Sequence, residues 1–247
     1  MEAGRRWHQY PEAPLRPSEW LVQGSFWRPK RSFGVLVLYS GMDLPFYERY
    51  LPHRLPPGHT FFITFRLAGS LPAEVVARLR EEKLLLEAQA AQARAEGRPD
   101  NVYARQRRWF GVFDRQLDAP GPGTPAYLCE PKVAAVLVEA LNFYARHQAY
   151  TLLAFCLMPN HVHLVVALPE EAPLLARTLQ GLKAYTARHL NRLRQASGQV
   201  WQRESYDHRV RNADELRRII NYVLRNPVQA GLCAEWQHWP YTFLGET

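Results

Sequence analysis

The run Leu157-Met158-Pro159-Asn160-His161-Val162-His163-Leu164-Val165-Val166 constrains this chain more than any other stretch. Its second half is apolar and rich in β-branched residues, as a buried strand requires, and strand side chains alternate between faces. His161 and His163 therefore point one way, while Val162, Leu164 and Val166 point the other. Pro159-Asn160 is a turn signal, so the pair stands at the very start of its strand. Two imidazoles one pleat apart on a rigid strand can hold one divalent metal. The plainer alternative is two partly buried histidines hydrogen-bonded within a core.

The flanking chain alternates strand and helix patterns. Thr60 to Leu67 reads as a strand, and Pro131 opens a helix with Val133, Val136, Leu137, Ala140, Leu141 and Tyr144 at helical spacing. Tyr150 to Leu157 forms a hairpin with His161–Leu168 across the Pro-Asn turn. A second helix spans Pro173 to about Gln195, and Ser205 to Val210 supplies a fourth strand. The order strand, helix, strand, strand, helix, strand predicts an α+β fold with a ferredoxin-like βαββαβ core. Such a core is an antiparallel sheet with helices on one face, leaving the other face for a site. Many functions share that fold, so it does not choose among them.

Three segments lie outside the pattern. Residues 1 to about 50 are expected to be an N-terminal extension in which bases and aromatics such as Arg5, Trp7, Trp20 and Trp27 mix, with a short strand at Val35–Tyr39. The main domain then runs over 51–247. Residues of about 72–128 read as a helical insertion: a helix from near Ser70 to Ala95, a break at Gly97-Arg98-Pro99-Asp100, and a basic, aromatic helix from Asn101 to Leu117. The third segment is a C-terminal helix, which Asn212 and Glu215 open as a capping box and Pro227 is expected to end near Asn226. Leu216, Ile219, Ile220, Val223 and Leu224 form its apolar stripe. Tyr222 and Asn226, four residues apart, are neighbours on its flank.

A tyrosine serving only the core would sit within that stripe, so Tyr222 is a candidate nucleophile, with Tyr185 and Tyr206 as rivals. The amide oxygen of Asn226 is a suitable further ligand for Mg or Mn. His208 is a possible ligand or phosphate contact, with a structural hydrogen bond as the simpler role. The net charge is +8, carried mainly by arginine, which grips phosphates in bidentate geometry. Arg203, Arg209, Arg211, Arg218 and Arg225 crowd the fourth strand and last helix, while Lys183 and Arg188 lie off the apolar stripe of the helix before them. Taken together they are the DNA-binding candidates; taken singly, each is a solvated surface charge.

Cys129, Cys156 and Cys233 show no CxxC pairing, no apolar run reaches membrane-span length, and the N-terminus has no signal-peptide pattern. A reducing cytoplasm is the expected location.

MPNHVH followed by an apolar strand resembles the signature of the HUH single-tyrosine transposases. Within that group the chain most resembles the REP-associated tyrosine transposases. FFITFRLAGSLP, WQRESYDHRVRN and YVLRNPVQAGL are further blocks in the expected order, spanning about Leu51 to Phe243. The resemblance implies the ferredoxin-like core with the histidines on a central strand. It implies His161, His163 and Asn226 as ligands of a divalent ion, Mg or Mn, and Tyr222 as nucleophile on a C-terminal catalytic helix. The implied activity is nicking and strand transfer on single-stranded, hairpin-forming palindromes through a 5′-phosphotyrosine bond. A monomer or homodimer at the bacterial nucleoid, with single-stranded or hairpin DNA as partner, would carry it out. The alternatives are a catalytically inactive, regulatory DNA-binding protein of the same fold, or a metallonuclease in which water attacks.

Overall fold

A computed structural model describes residues 46–48, 52–54, 57–97 and 102–245 of the chain. Expectations for residues 1–45, including the strand at Val35–Tyr39, lie outside the described residues. The elements, in order, are β1 (Phe46–Glu48), β2 (Pro52–Arg54), β3 (Thr60–Arg66), α1 (Ala73–Ala95), α2 (Val102–Asp118), α3 (Pro131–Arg146), β4 (Thr151–Leu157), β5 (His161–Ala167), α4 (Leu175–Leu193), β6 (Tyr206–Arg209), α5 (Ala213–Gln229) and β7 (Thr242–Leu244). β1 and β2 pair as a small antiparallel ribbon.

The other strands form one antiparallel sheet in the order β6-β3-β5-β4-β7. The βαββαβ core is β3-α3-β4-β5-α4-β6, so its strands stand in the order fourth, first, third, second, as in a ferredoxin-like fold. The histidine strand β5 is central, hydrogen-bonded on both sides. In register, Thr64 lies opposite His163 on one flank and Cys156 on the other.

Strand alternation divides the residues between two faces. Phe61, Ile63, Phe65, Val162, Leu164 and Val166 belong to one face and to the main apolar core with Val133, Leu137, Leu141, Leu179 and Leu182 of α3 and α4. Phe62, Thr64, His161 and His163 look the other way, toward α2 and α5. Helices thus cover both faces, the first through the core helices and the second through the insertion and the last helix. Leu71, Leu79 and Leu117 form a smaller apolar cluster that holds α1 to α2.

Two features depart from the sequence reading. The last helix does not stop before Pro227 but runs to Gln229, with Asn226 and Pro227 both buried. Near a helix end the missing N–H removes a single hydrogen bond, and burial of this turn outweighs the local preference of the residue before proline. The sequence reading assigned no element to the tail, and the structure adds one there: β7 extends the sheet, Tyr241 O accepts from Leu157 N, and Trp239 Nε1 donates to Leu157 O.

Candidate active site

The Met-Pro-Asn turn aims the histidines. Asn160 is buried, and its Nδ2 donates to Leu117 O at 2.9 Å, which leaves Oδ1 facing His161 Nδ1 at 2.6 Å. That oxygen only accepts, so the His161 proton sits on Nδ1 and the lone pair on Nε2. His163 Nδ1 is held by Thr64 Oγ1 at 2.8 Å, the cross-strand partner that the register dictates. A threonine hydroxyl both donates and accepts, so it serves either tautomer of His163. The two Nε2 atoms converge to 3.0 Å. Orienting the far nitrogen so that the near one meets an ion is the usual second layer of a metal site.

Both rings are fully buried, and burial holds both neutral: His161 well below the ordinary histidine value and His163 down to about 3. A neutral imidazole is the ligating form.

The other donors come from α2 and α5. Asp114 Oδ1 lies 3.5 Å from His163 Nε2, and Asp118 Oδ1 lies 4.0 Å from His161 Nε2. One ligand atom from each of Asp114, His161 and His163 falls within 4.8 Å of the others. On α5, the Tyr222 hydroxyl donates to Asp114 Oδ2. Asn226 Nδ2 reaches both Asp114 Oδ2 and the Tyr222 hydroxyl at 3.3 Å. Burial raises Asp114 well above the ordinary carboxylate value, Asp118 beside it adds to the rise, and burial raises Asp118 to about 7.

Buried polar atoms are almost always hydrogen-bonded. Yet Asp114 Oδ1, Asp118 Oδ1 and Asn226 Oδ1 have no hydrogen-bond partner among the described residues. Three such oxygens beside two inward-facing imidazole nitrogens fit a divalent cation. The mixed nitrogen and oxygen set suits Mn better than Mg, which favours oxygen alone.

A cavity of about 240 Å³ opens at the Tyr222 edge of this cluster, lined by Phe62, Arg107, Phe110, His208, Arg218 and Tyr222 among others, while the histidines, Asp114 and Asn226 lie buried behind it. Phe110 of α2 stacks on Tyr206 at 4.2 Å and meets the Tyr222 ring edge-on at 6.1 Å. The floor at Tyr222 is therefore aromatic, with arginines at the walls.

The structure brings His161, His163, Asn226 and Tyr222 together. Tyr206 lies near them but stacked on Phe110, and Tyr185 lies on α4 against His189 at 4.1 Å. His208 hydrogen-bonds Glu215 at 3.0 Å, and the Glu215 carboxylate also accepts from the backbone N–H and the guanidinium of Arg211. Asn212 caps α5 through Glu215 N as expected, while the Glu215 carboxylate reaches one residue further back, to Arg211. Lys183 gives its amine to Gln202 O, Arg203 O and Ser205 Oγ, which ties α4 to the approach to β6. Arg203, Arg209, Arg218 and Arg225 are exposed around β6 and α5, and Arg188 is exposed on α4. Of these, Arg218 lines the cavity over Tyr222.

The sequence reading missed Asp114, Asp118 and Thr64. The two aspartates sit four residues apart on one face of a helix whose arginines dominate its composition, and only that spacing could have marked them.

Comparison with known proteins agrees with the motifs. Residues 127–226 match the model of the family described as "Transposase IS200 like". A Haemophilus influenzae protein assigned to the REP-associated tyrosine transposases is 30% identical over 105 residues, covering 39% of this chain and 60% of the relative. The REP-associated tyrosine transposase of Escherichia coli is 26% identical over 108 residues, covering 43% and 62%. The chain thus spans about three fifths of the length of the curated relatives that it matches. It also aligns with a solved REP-associated tyrosine transposase bound to a REP hairpin, with a TM-score of 0.48 and 17% identity over 79% of this chain and 80% of that one. Over residues 127–226 the chain is thus similar to the IS200-like transposases, and the curated relatives that it matches are REP-associated tyrosine transposases.

Proposed function

We propose that this protein nicks single-stranded, hairpin-bearing DNA and transfers the strand through a covalent bond between Tyr222 and a 5′ phosphate. The observation that carries this reading is one cluster in which the Tyr222 hydroxyl, Asp114, Asn226 and the histidine pair all meet. Tyr222 Oη attacks the phosphorus of an unpaired strand, and the bond from phosphorus to the 3′ oxygen breaks. Asp114 Oδ2, already hydrogen-bonded to Tyr222, takes the phenolic proton, while the departing 3′ oxygen takes one from water. The phosphodiester energy is kept in the tyrosine ester, so a 3′ hydroxyl can attack it, free Tyr222 and complete the transfer without ATP. A free tyrosine is a weak nucleophile at neutral pH, so the acceptor beside it matters.

His161, His163 and Asp114, with Asn226 and Asp118 beside them, would hold the divalent ion, Mg or Mn. When bound, the ion polarises the scissile phosphate and orients it for in-line attack. Arg218 and Arg107 in the cavity wall, with Arg203, Arg209, Arg211 and Arg225 nearby, lead the strand toward Tyr222. Binding dominated by such contacts weakens steeply with salt.

A denaturing gel tests the proposal. Wild-type protein with Mn and a labelled hairpin oligonucleotide should give a covalent protein–DNA band. Tyr222→Phe should bind the same DNA and give none, while Tyr185→Phe and Tyr206→Phe keep the band. Free cleaved ends from Tyr222→Phe would instead identify water as the nucleophile. Binding by the wild type without any cleavage would identify a regulatory DNA-binding protein.

A further inference from the structure

A second cavity, of about 350 Å³, lies among β3, α1, α2 and the approach to β6, and neither the nucleophile nor the ion cluster uses it. Its volume is that of an ordinary small-ligand site. One wall is aromatic: Trp109 and Phe113 of α2 stack with centroids 5.4 Å apart and planes 13° from parallel, and Tyr206 stands 6.3 Å from Trp109. Trp109 is fixed by a hydrogen bond from Nε1 to Leu79 O at 3.1 Å. The lining also holds the aliphatic side chains of Leu71, Val76, Leu79 and Leu84 and a polar set in which Glu204 lies close enough to Arg66 to act on its charge, with the Gln202 amide beside them in the lining. The Arg66 guanidinium is almost buried and donates to Ser70 Oγ at 3.0 Å. Arg80 and Lys83 of α1 line the same space.

The cavity adjoins the site. Thr64 lines it and also holds His163, and Tyr206 lines both this cavity and the one over Tyr222. A strand with its scissile phosphate at Tyr222 would therefore reach this space with a neighbouring nucleotide. An aromatic face to stack on, donors and acceptors in the lining, and cations nearby are the chemistry that receives an unpaired base and its phosphate. Stacking accepts any base; Gln202 and Glu204 supply the donors and acceptors that would distinguish one base edge from another.

We propose that this cavity is a pocket for one unpaired nucleobase of the DNA strand next to the scissile phosphate, built by the helical insertion. The proposal rests on the strand-transfer reading above. Tying base choice to the cleavage position would let the insertion set where the strand is cut.

The test walks a single abasic site along the strand within a few nucleotides of the cleavage position and measures affinity and adduct formation with the full chain and Mn. One position should stand out, its abasic form binding roughly 5- to 150-fold more weakly, the range for one stacked base. 2-Aminopurine placed at that position should lose fluorescence on binding. With Trp109→Leu, the abasic penalty at that position should shrink to the level of its neighbours. The 2-aminopurine signal needs no variant, so a Trp109→Leu protein that fails to fold leaves the test standing. Small, even losses at every position, with unquenched 2-aminopurine and normal adduct formation, would overturn the pocket alone. Absence of strand binding and of adduct in the wild type would overturn both readings.

Discussion

The two faces of β5 share one backbone and the same complete burial, yet they hold opposite chemistry. On one face Val162, Leu164 and Val166 pack against α3 and α4, and each atom removed from water meets another apolar atom. On the other, His161 and His163 meet two aspartates and an asparagine, and three oxygens remain without hydrogen-bond partners among the described residues. The apolar face stabilises the fold by roughly 1.5–3 kcal/mol per large side chain. Burying polar groups without partners costs about 1–3 kcal/mol each. A chain tolerates that cost where a ligand restores the missing interactions, which is why the second face is the proposed site and the first its scaffold.

The strongest way to break this contrast is to exchange the effects of neighbouring substitutions. His163→Ala should lower adduct formation by about 10³-fold or more while leaving the melting temperature of the ion-free protein unchanged or higher, because it removes a buried group that serves the ion. Activity assays with calorimetry decide it, and a large fall in thermal stability would dissolve the distinction between the faces. Leu164→Ala, one residue along, should do the reverse. Its cost is about 2–5 kcal/mol of folding stability, read by denaturant titration, with the residual folded fraction still forming adduct.

Asn226→Ala should act more mildly, weakening Mn binding by about tenfold because water can replace a neutral ligand, with adduct formation recovering at higher Mn. Failure to recover at any Mn concentration would assign Asn226 to positioning Tyr222 instead.

The smallest effect is a pH dependence. Burial raises Asp118 to about 7 and Asp114 well above the ordinary value, so between about pH 4 and 7 the folded protein holds more carboxylate protons than the unfolded chain. This contribution to stability is present at low pH and is lost as pH rises through the folded values. His163, lowered to about 3, works the other way: its contribution is present above about 6.5 and is lost as pH falls. An entering ion must displace the carboxylate protons, so its affinity should climb a few-fold from pH 6 to pH 8. Thermal shifts with and without Mn across that range would show it, and an affinity that falls with pH would contradict it.

Much of this was legible in the sequence, for reasons that differ between elements. The β4–β5 hairpin and α3 announce themselves because periodicity and turn chemistry agree there. Tyr222 and Asn226 were readable because a helix fixes what lies on its flank. Asp114 was not, since its meeting with His163 depends on how the insertion folds back over the sheet, a long-range packing outcome that no local pattern encodes. The run past Pro227 and the edge strand β7 were hidden for a related reason: burial against the core overrode weak local signals.

The contact between Tyr222 and Asp114 has one more consequence. As a free phenol, Tyr222 holds a proton to share, and through it α5 is latched to α2. In the proposed covalent state that proton would be gone, and of the contacts that join α5 to α2 at Asp114 only the longer one from Asn226 Nδ2 would remain, just when the strand is broken. The inserted helix would then register chemistry at the tyrosine as a change in its own attachment, and amide hydrogen exchange along 102–118 should quicken in the covalent complex.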